Sequence, residues 1–264
     1  LLNRYRDAGL LPSDVTGIIW YQGEKDGTEN TSLTNYLSLF DDLYEDWKIN
    51  YNPNKFYVFQ VHKGCGITTT SAIPEAHRQI ANNYTDVEII STNGALQNSS
   101  DRCHYSETDG YEVLGTRLYK MLAFEVYKSI SSSGGIYSPD ITNAKYFEKQ
   151  NKIFFDLLPA TDIFDFELGA YSDFFLEDNT TVSITGGSVL GNRVTLNLSE
   201  SIDNTEIFLG YLGKVEDTIP YIKNQNDIGM LNFKNVRVEI VNTQGNAGIG
   251  DAYGEVASAT GKVW

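Results

Sequence analysis

Up to about residue 130, short apolar runs alternate with amphipathic stretches. Val15–Trp20, Phe56–Val61 and Val87–Ser91 are β-branched or aromatic runs of strand length. Between the first two, Leu33, Tyr36, Leu37, Phe40, Leu43, Tyr44 and Trp47 recur at helical spacing and form one stripe. Asp41, Asp42, Glu45, Asp46 and Lys48 are left mostly facing water. Pro74 opens a second helix through Glu75, Ala76, His77, Arg78, Gln79 and Ile80. Ser106, with Asp109 three residues on, predicts a capping box before a long helix through Val113, Leu114, Leu118, Met121, Leu122 and Val126. Strand and helix thus alternate three times. Parallel neighbours need a crossover connection, so this order predicts a three-layer α/β unit, a parallel sheet with helices on its faces.

The texture then changes. Ser131-Ser132-Ser133-Gly134-Gly135 has the composition of a flexible linker, followed by Tyr137-Ser138-Pro139. From there to Val241 the pattern is alternation, clearest in Arg193–Leu198, with further strands expected at Lys152–Leu157, Asp173–Leu176, Thr205–Tyr211 and Val236–Val241. Gly186-Gly187, Gly191-Asn192 and Asp203-Asn204 supply turns. The expected organisation is an α/β domain over 1–130, a linker over 131–138, an antiparallel β-sandwich over 139–241, and a Gly/Ala-rich tail or linker over 242–264. The many aromatics of the second part, among them Phe155, Phe174 and Tyr211, are expected in its core rather than on a sugar-binding face.

Composition narrows the partners. The 264 residues hold 20 basic and 35 acidic side chains, a net charge of −15 spread over both parts. That field repels phosphate backbones and argues against nucleic acid or anionic membrane as partners. No apolar run approaches the ~20 residues of a membrane span. Three His and two Cys do not assemble a structural zinc site, and no cofactor or metal is expected.

Two clusters can carry chemistry. Trp20-Tyr21-Gln22-Gly23-Glu24 follows the first strand, and Asp101-Arg102-Cys103-His104 lies between the third strand and the last helix. Ligands of open parallel sheets bind outside the carboxyl ends of the strands, where both clusters fall. Two residues between Asp101 and His104 let carboxylate meet imidazole. The carboxylate then fixes the tautomer and leaves the other ring nitrogen as a general base. Gln22 at a strand end can aim an amide N–H at a developing oxyanion. His62, ending the second strand, is a weaker substrate-lining candidate together with Tyr21. His77, on a helix, reads as structural. Cys103 beside His104 is not read as a nucleophile, because adjacent residues point apart. A bridge to Cys65 is expected instead, since both lie in loops at one end of the sheet, and it implies an oxidising compartment.

Together these residues resemble a known family. Ile18-Ile19-Trp20-Tyr21-Gln22-Gly23-Glu24-Lys25-Asp26 is similar to the Trp-x-Gln-Gly-Glu-x-Asp block of sialate O-acetylesterase-like and acetylxylan-esterase-like carbohydrate esterases, in the SGNH hydrolase superfamily. Asp101-x-x-His104, followed by Gly110-Tyr111 and Leu114-Gly115, resembles their closing block. The resemblance covers about residues 10–128 and implies a flavodoxin-like fold. By it, His104 is the general base, Asp101 its orienting carboxylate, Gln22 an oxyanion donor, and Glu24 and Trp20 supporting residues. An acetylated glycan is the implied substrate, and the implied setting is extracellular or at the cell surface.

The chain departs from the family in one respect. The family's nucleophile is a Ser in a Gly-Gln-Ser-Asn block upstream of the Trp block, and the 19 residues before Trp20 hold no such block. Ser91, Ser99 and Ser100 read as loop residues. The expectation is therefore an esterase domain incomplete at its N-terminus, its Ser on a missing upstream segment or a second chain. The rival is a non-catalytic glycan-binding or structural component of a surface or virion, built on an esterase-like scaffold.

Overall fold

The three apolar runs become β1 (Gly17–Trp20), β2 (Lys55–Phe59) and β3 (Val87–Ile90), hydrogen-bonded in that order and all parallel. The computed structural model describes residues 7–9, 11–101, 103–177, 181–203, 205–214 and 221–241. The stretch 242–264, read above as a tail, lies outside them. Helices α1 (Glu24–Thr28) and α2 (Leu33–Tyr51) connect β1 to β2, α3 (Ile73–Asn83) connects β2 to β3, and α4 (Glu112–Glu125) follows β3. Among the described residues no helix is long and apolar enough to cross a membrane.

Pleating sorts β2 between two layers, because successive side chains point to opposite faces. Phe56 and Val58 join Tyr36, Phe40 and Tyr44 of α2 and Ile73, Ala76 and Ile80 of α3 in one apolar cluster. Tyr57 and Phe59 join Leu114 and Met121 of α4 in another. The predicted stripe is the buried face of α2, which starts at Ser32, whose side chain accepts from Asn35 N. It stops at Asn52, which takes a left-handed conformation. The capping box predicted at Ser106 is not made. Glu107–Tyr111 form a π-helical turn instead, and Leu96 N donates to the Asp109 carbonyl at 2.8 Å. That bond ties the start of the helix to the preceding loop, which a capping box would not do.

The second half departs from the predicted antiparallel sandwich. Its strands are β4 (Asp140–Phe147), β5 (Lys152–Leu158), β6 (Phe164–Phe166), β7 (Phe174–Glu177), β8 (Ile184–Leu190), β9 (Arg193–Leu198), β10 (Ile207–Tyr211), β11 (Ile222–Asn224) and β12 (Phe233–Val241). Seven of them form one continuous sheet, ordered β7-β10-β12-β4-β5-β9-β8. Within it β12 runs parallel to β4, with Ile240 opposite Tyr146, so the sheet is mixed. β6 and β11 form a separate antiparallel ribbon. The sheet is curled: the turn Ala170–Asp173, leading into β7 at one end, packs against β8 at the other. Phe155, Phe174, Tyr211 and Phe233 fill the space inside. A curled sheet buries one face against itself much as a sandwich buries two facing sheets, so the same alternation serves both.

The two halves meet along a buried polar seam. The fully buried Gln60 donates to the carbonyls of Pro74 and Asn232, both at 2.8 Å, and accepts from Asn232 N at 2.7 Å. Asn93 Nδ2 reaches Met230 O and Asn232 Oδ1. The buried Arg117 guanidinium donates to Ser91 O at 2.6 Å and Asp227 O at 2.9 Å. Burial pushes its pKa down to about 10, which leaves it a cation at neutral pH. The Ser/Gly stretch read as a flexible linker is held within this region. Gly135 N donates to Asp162, Ile136 is buried, and Ser138 Oγ accepts from Ser91 N.

Candidate active site

The Asp101–His104 pair sits on a loop closed at its base by short-range pairing. Gln97 bridges Tyr105, Asn98 N donates to His104 O at 2.7 Å, and Ser106 N donates to Leu96 O. At its tip, Asp101 Oδ1 accepts from the backbone N–H groups of Cys103 (2.9 Å) and His104 (3.0 Å). Asp101 Oδ2 lies 2.7 Å from His104 Nδ1. One carboxylate thus shapes the turn and orients the ring, which is why two intervening residues suffice. The backbone N–H of Cys103, and then the His104 ring, hold the Asp101 pKa down at about 2. The carboxylate is therefore ionised and accepts the Nδ1 proton, leaving His104 Nε2 with a lone pair free to take another.

A disulfide joins Cys103 to Cys65, in the loop after β2. Gly64, Cys65 and Gly66 all take positive φ, and a Cβ on Gly66 would lie 2.7 Å from the Glu24 carbonyl. Only a glycine lets this loop approach α1 so closely. His62 is buried behind the loop, with Nε2 3.3 Å from Cys103 O and its ring edge-on to Tyr105. Burial lowers its pKa, so the ring is neutral. The structure thus places His62 as a brace of the His104 loop rather than among the residues around the hollow that follows.

His104 opens on a hollow of about 510 Å³, lined also by Tyr21, Glu24, Phe59, Tyr105, Tyr111 and Leu114 and floored by the disulfide. Tyr21 and Glu24 come from the first sequence cluster. The role of Tyr105, Tyr111 and Leu114 was not read from the sequence. The signal was the helical spacing of Tyr111, Leu114 and Gly115, which turns one face of α4 and its leading turn toward His104.

Gln22 lies elsewhere. Consecutive residues at the end of β1 point to opposite sides, so Tyr21 enters the hollow while Gln22 lines a neighbouring depression with Trp20, Asp26 and Tyr36. There its amide is held at both ends. Oε1 accepts from the Tyr36 hydroxyl at 3.0 Å, and Nε2 donates to Asp26 Oδ2 at 2.5 Å. Tyr36 is in turn 2.7 Å from His77 Nε2, and His77 Nδ1 accepts from Val61 N at 3.3 Å. Since Nδ1 accepts, the ring proton is on Nε2 and is donated to Tyr36, whose own proton goes to Gln22. Burial pushes the His77 pKa down to about 3, so this chain carries no cation at neutral pH. Between Gln22 and Glu24, Gly23 has φ 140°, and a Cβ there would lie 2.7 Å from Ile73. The glycine of the motif is thus demanded by the packing of α3.

Residues 1–123 match the carbohydrate esterase, sialic acid-specific acetylesterase family. The resemblance read from the motifs is thereby borne out over that range. The fold is similar to that of a carbohydrate acetylesterase from Xanthomonas citri, with a TM-score of 0.63 at 17% identity. The match covers 85% of this chain and 51% of that one, so the chain spans about half the length of that esterase. No curated protein matches the sequence.

Proposed function

We propose that residues 1–130 carry the acid–base and oxyanion-binding part of an SGNH-type carbohydrate O-acetylesterase, acting on acetylated glycans. The observation that carries this is the 2.7 Å contact between Asp101 and His104 Nδ1, on a loop that opens beside a ligand-sized hollow. In the proposed reaction a serine oxygen attacks the acetyl carbonyl while His104 Nε2 takes the hydroxyl proton. The imidazolium, stabilised by Asp101, gives that proton to the departing sugar oxygen. Water then repeats the cycle, releasing acetate and regenerating the serine. Gln22 has a second amide N–H beside the one held by Asp26. For that N–H to meet the oxyanion, the scissile carbonyl has to extend from the hollow toward the separate depression that Gln22 lines.

The serine is proposed to come from a segment that pairs with the free edge of β1, or from a second chain. Three observations support this. Among the described residues β1 is paired on one side only, with Ile19 exposed. Ser91 is buried in the seam, with its Oγ 3.3 Å from Met230 O. Exposed Ser100 is turned toward Asn98. The disulfide supports an exported protein. The test is acetate release from acetylated glycans by the complete protein. His104→Ala abolishes it, and Gln22→Ala lowers it about 10²–10³-fold with folding intact. Full activity in His104→Ala rejects the assignment. Glycan binding by wild type with no acetate release supports a non-catalytic binder.

A further inference from the structure

The hollow beside His104 has a wall of rings. Phe59 and Tyr21 are 6.2 Å apart, Tyr21 and Tyr105 6.3 Å, and Tyr105 and Tyr111 5.6 Å, so four aromatic side chains run in contact. Tyr21 and Tyr111 remain exposed, offering apolar faces suited to the C–H side of a sugar ring. At about 510 Å³ the space exceeds what an acetyl group alone needs and falls in the usual range for whole small ligands.

Among the described residues that line the hollow, Glu24 is the one carboxylate, and no Lys or Arg is present. The ionised Asp101 stands directly behind His104, and the chain as a whole carries −15. Recognition of a sugar carboxylate calls for a guanidinium, an ammonium or converging N–H or O–H donors, as its charge must otherwise be desolvated unpaired, and the Tyr21 hydroxyl is already engaged by Tyr105 and Glu24. We propose that this hollow accepts an uncharged acetylated sugar and discriminates against one that bears a carboxylate, although the matched family is named for sialic acid. The proposal rests on the esterase reading for the identity of the ligand as a sugar. Glu24 is its specificity-determining residue: it repels a carboxylate and offers an acceptor to sugar hydroxyls.

The test isolates charge from shape. Binding of the methyl glycoside of N-acetylneuraminic acid and of its carboxyl methyl ester is measured by ligand-observed NMR on the full chain at low salt. The ester is expected to bind about 10-fold more tightly, and Glu24→Gln is expected to narrow that gap. Equal or tighter binding of the free acid overturns the proposal, as does absence of saturable binding of the ester. Arg102, which lies outside the described residues, provides a further check. If it supplies a cation, the free acid binds at least as well as the ester and Arg102→Ala abolishes that advantage, which also overturns the proposal. Failure of the esterase reading looks different. The complete protein then releases no acetate in a His104-dependent way, while the preference for the ester stands.

Discussion

Gln60→Leu keeps most of the side-chain volume at the centre of the seam and removes every hydrogen bond the amide makes. Two buried groups lose their partner, the carbonyl and the N–H of Asn232, while the Pro74 carbonyl, inside α3, keeps its helical bond from Arg78 N. Each unsatisfied group costs about 1–3 kcal/mol, more than the net worth of the bond itself. The middle of that range, for two groups, is about 4 kcal/mol, and the lost bond to Pro74 adds about 1 kcal/mol. Leucine recovers about 2 kcal/mol through its buried apolar surface. A net loss of about 3 kcal/mol follows, equivalent to a fall in Tm of about 8 °C for a chain of this size. Urea titrations of wild type and variant, compared at their midpoints with a shared slope, measure it directly. A loss below about 1 kcal/mol would refute the reasoning, by showing that the seam relaxes to re-pair those groups and that Gln60 does not join the halves.

Two further outcomes are expected. The Cys65–Cys103 bridge closes a loop across 38 residues, so the chain-entropy relation gives about 4 kcal/mol as the stabilisation lost in Cys103→Ser. A thermal melt should show that loss in the variant and, for wild type, on adding reductant. An unchanged melt would contradict it. The second outcome concerns pH. The folded-state pKa of His77, about 3, lies below its unfolded value of about 6.5, so the unfolded chain binds the proton first. The stability this lends is complete above pH 6.5 and is lost as pH falls toward 3, amounting to about 3 kcal/mol at pH 4. His62, shifted in the same direction, adds to the slope. Denaturant titrations between pH 7 and 4 should show a shallower decline in His77→Gln than in wild type. Parallel declines would exclude His77 as a source.

The parts that the sequence made legible are those set by local patterning. The α2 stripe was readable because an amphipathic helix must repeat its apolar positions every three to four residues, whatever it packs against. The parallel order of β1 to β3 followed from crossovers long enough to hold a helix. The Asp101–His104 pair was readable because two intervening residues form a turn whose own backbone N–H groups engage the carboxylate. Hydrophobic alternation also announced the second half as β-structure, and it put Phe155, Phe174 and Tyr211 in a core.

What alternation could not express was which strand lies beside which. The curled mixed sheet and the parallel β4–β12 pair depend on contacts between residues almost a hundred positions apart, and each strand's inside–outside pattern is the same in either arrangement. The site shows the same division. That Tyr21 and Gln22 leave β1 on opposite sides follows from the pleat, but only the packing of α2 and of the loop before α4 determines that Gln22, already beside Asp26 in α1, also meets Tyr36 while Tyr21 meets Tyr105. Local sequence specifies backbone periodicity at short range. The partners of a side chain are specified by how whole elements pack, so the residues around the hollow became visible only in three dimensions.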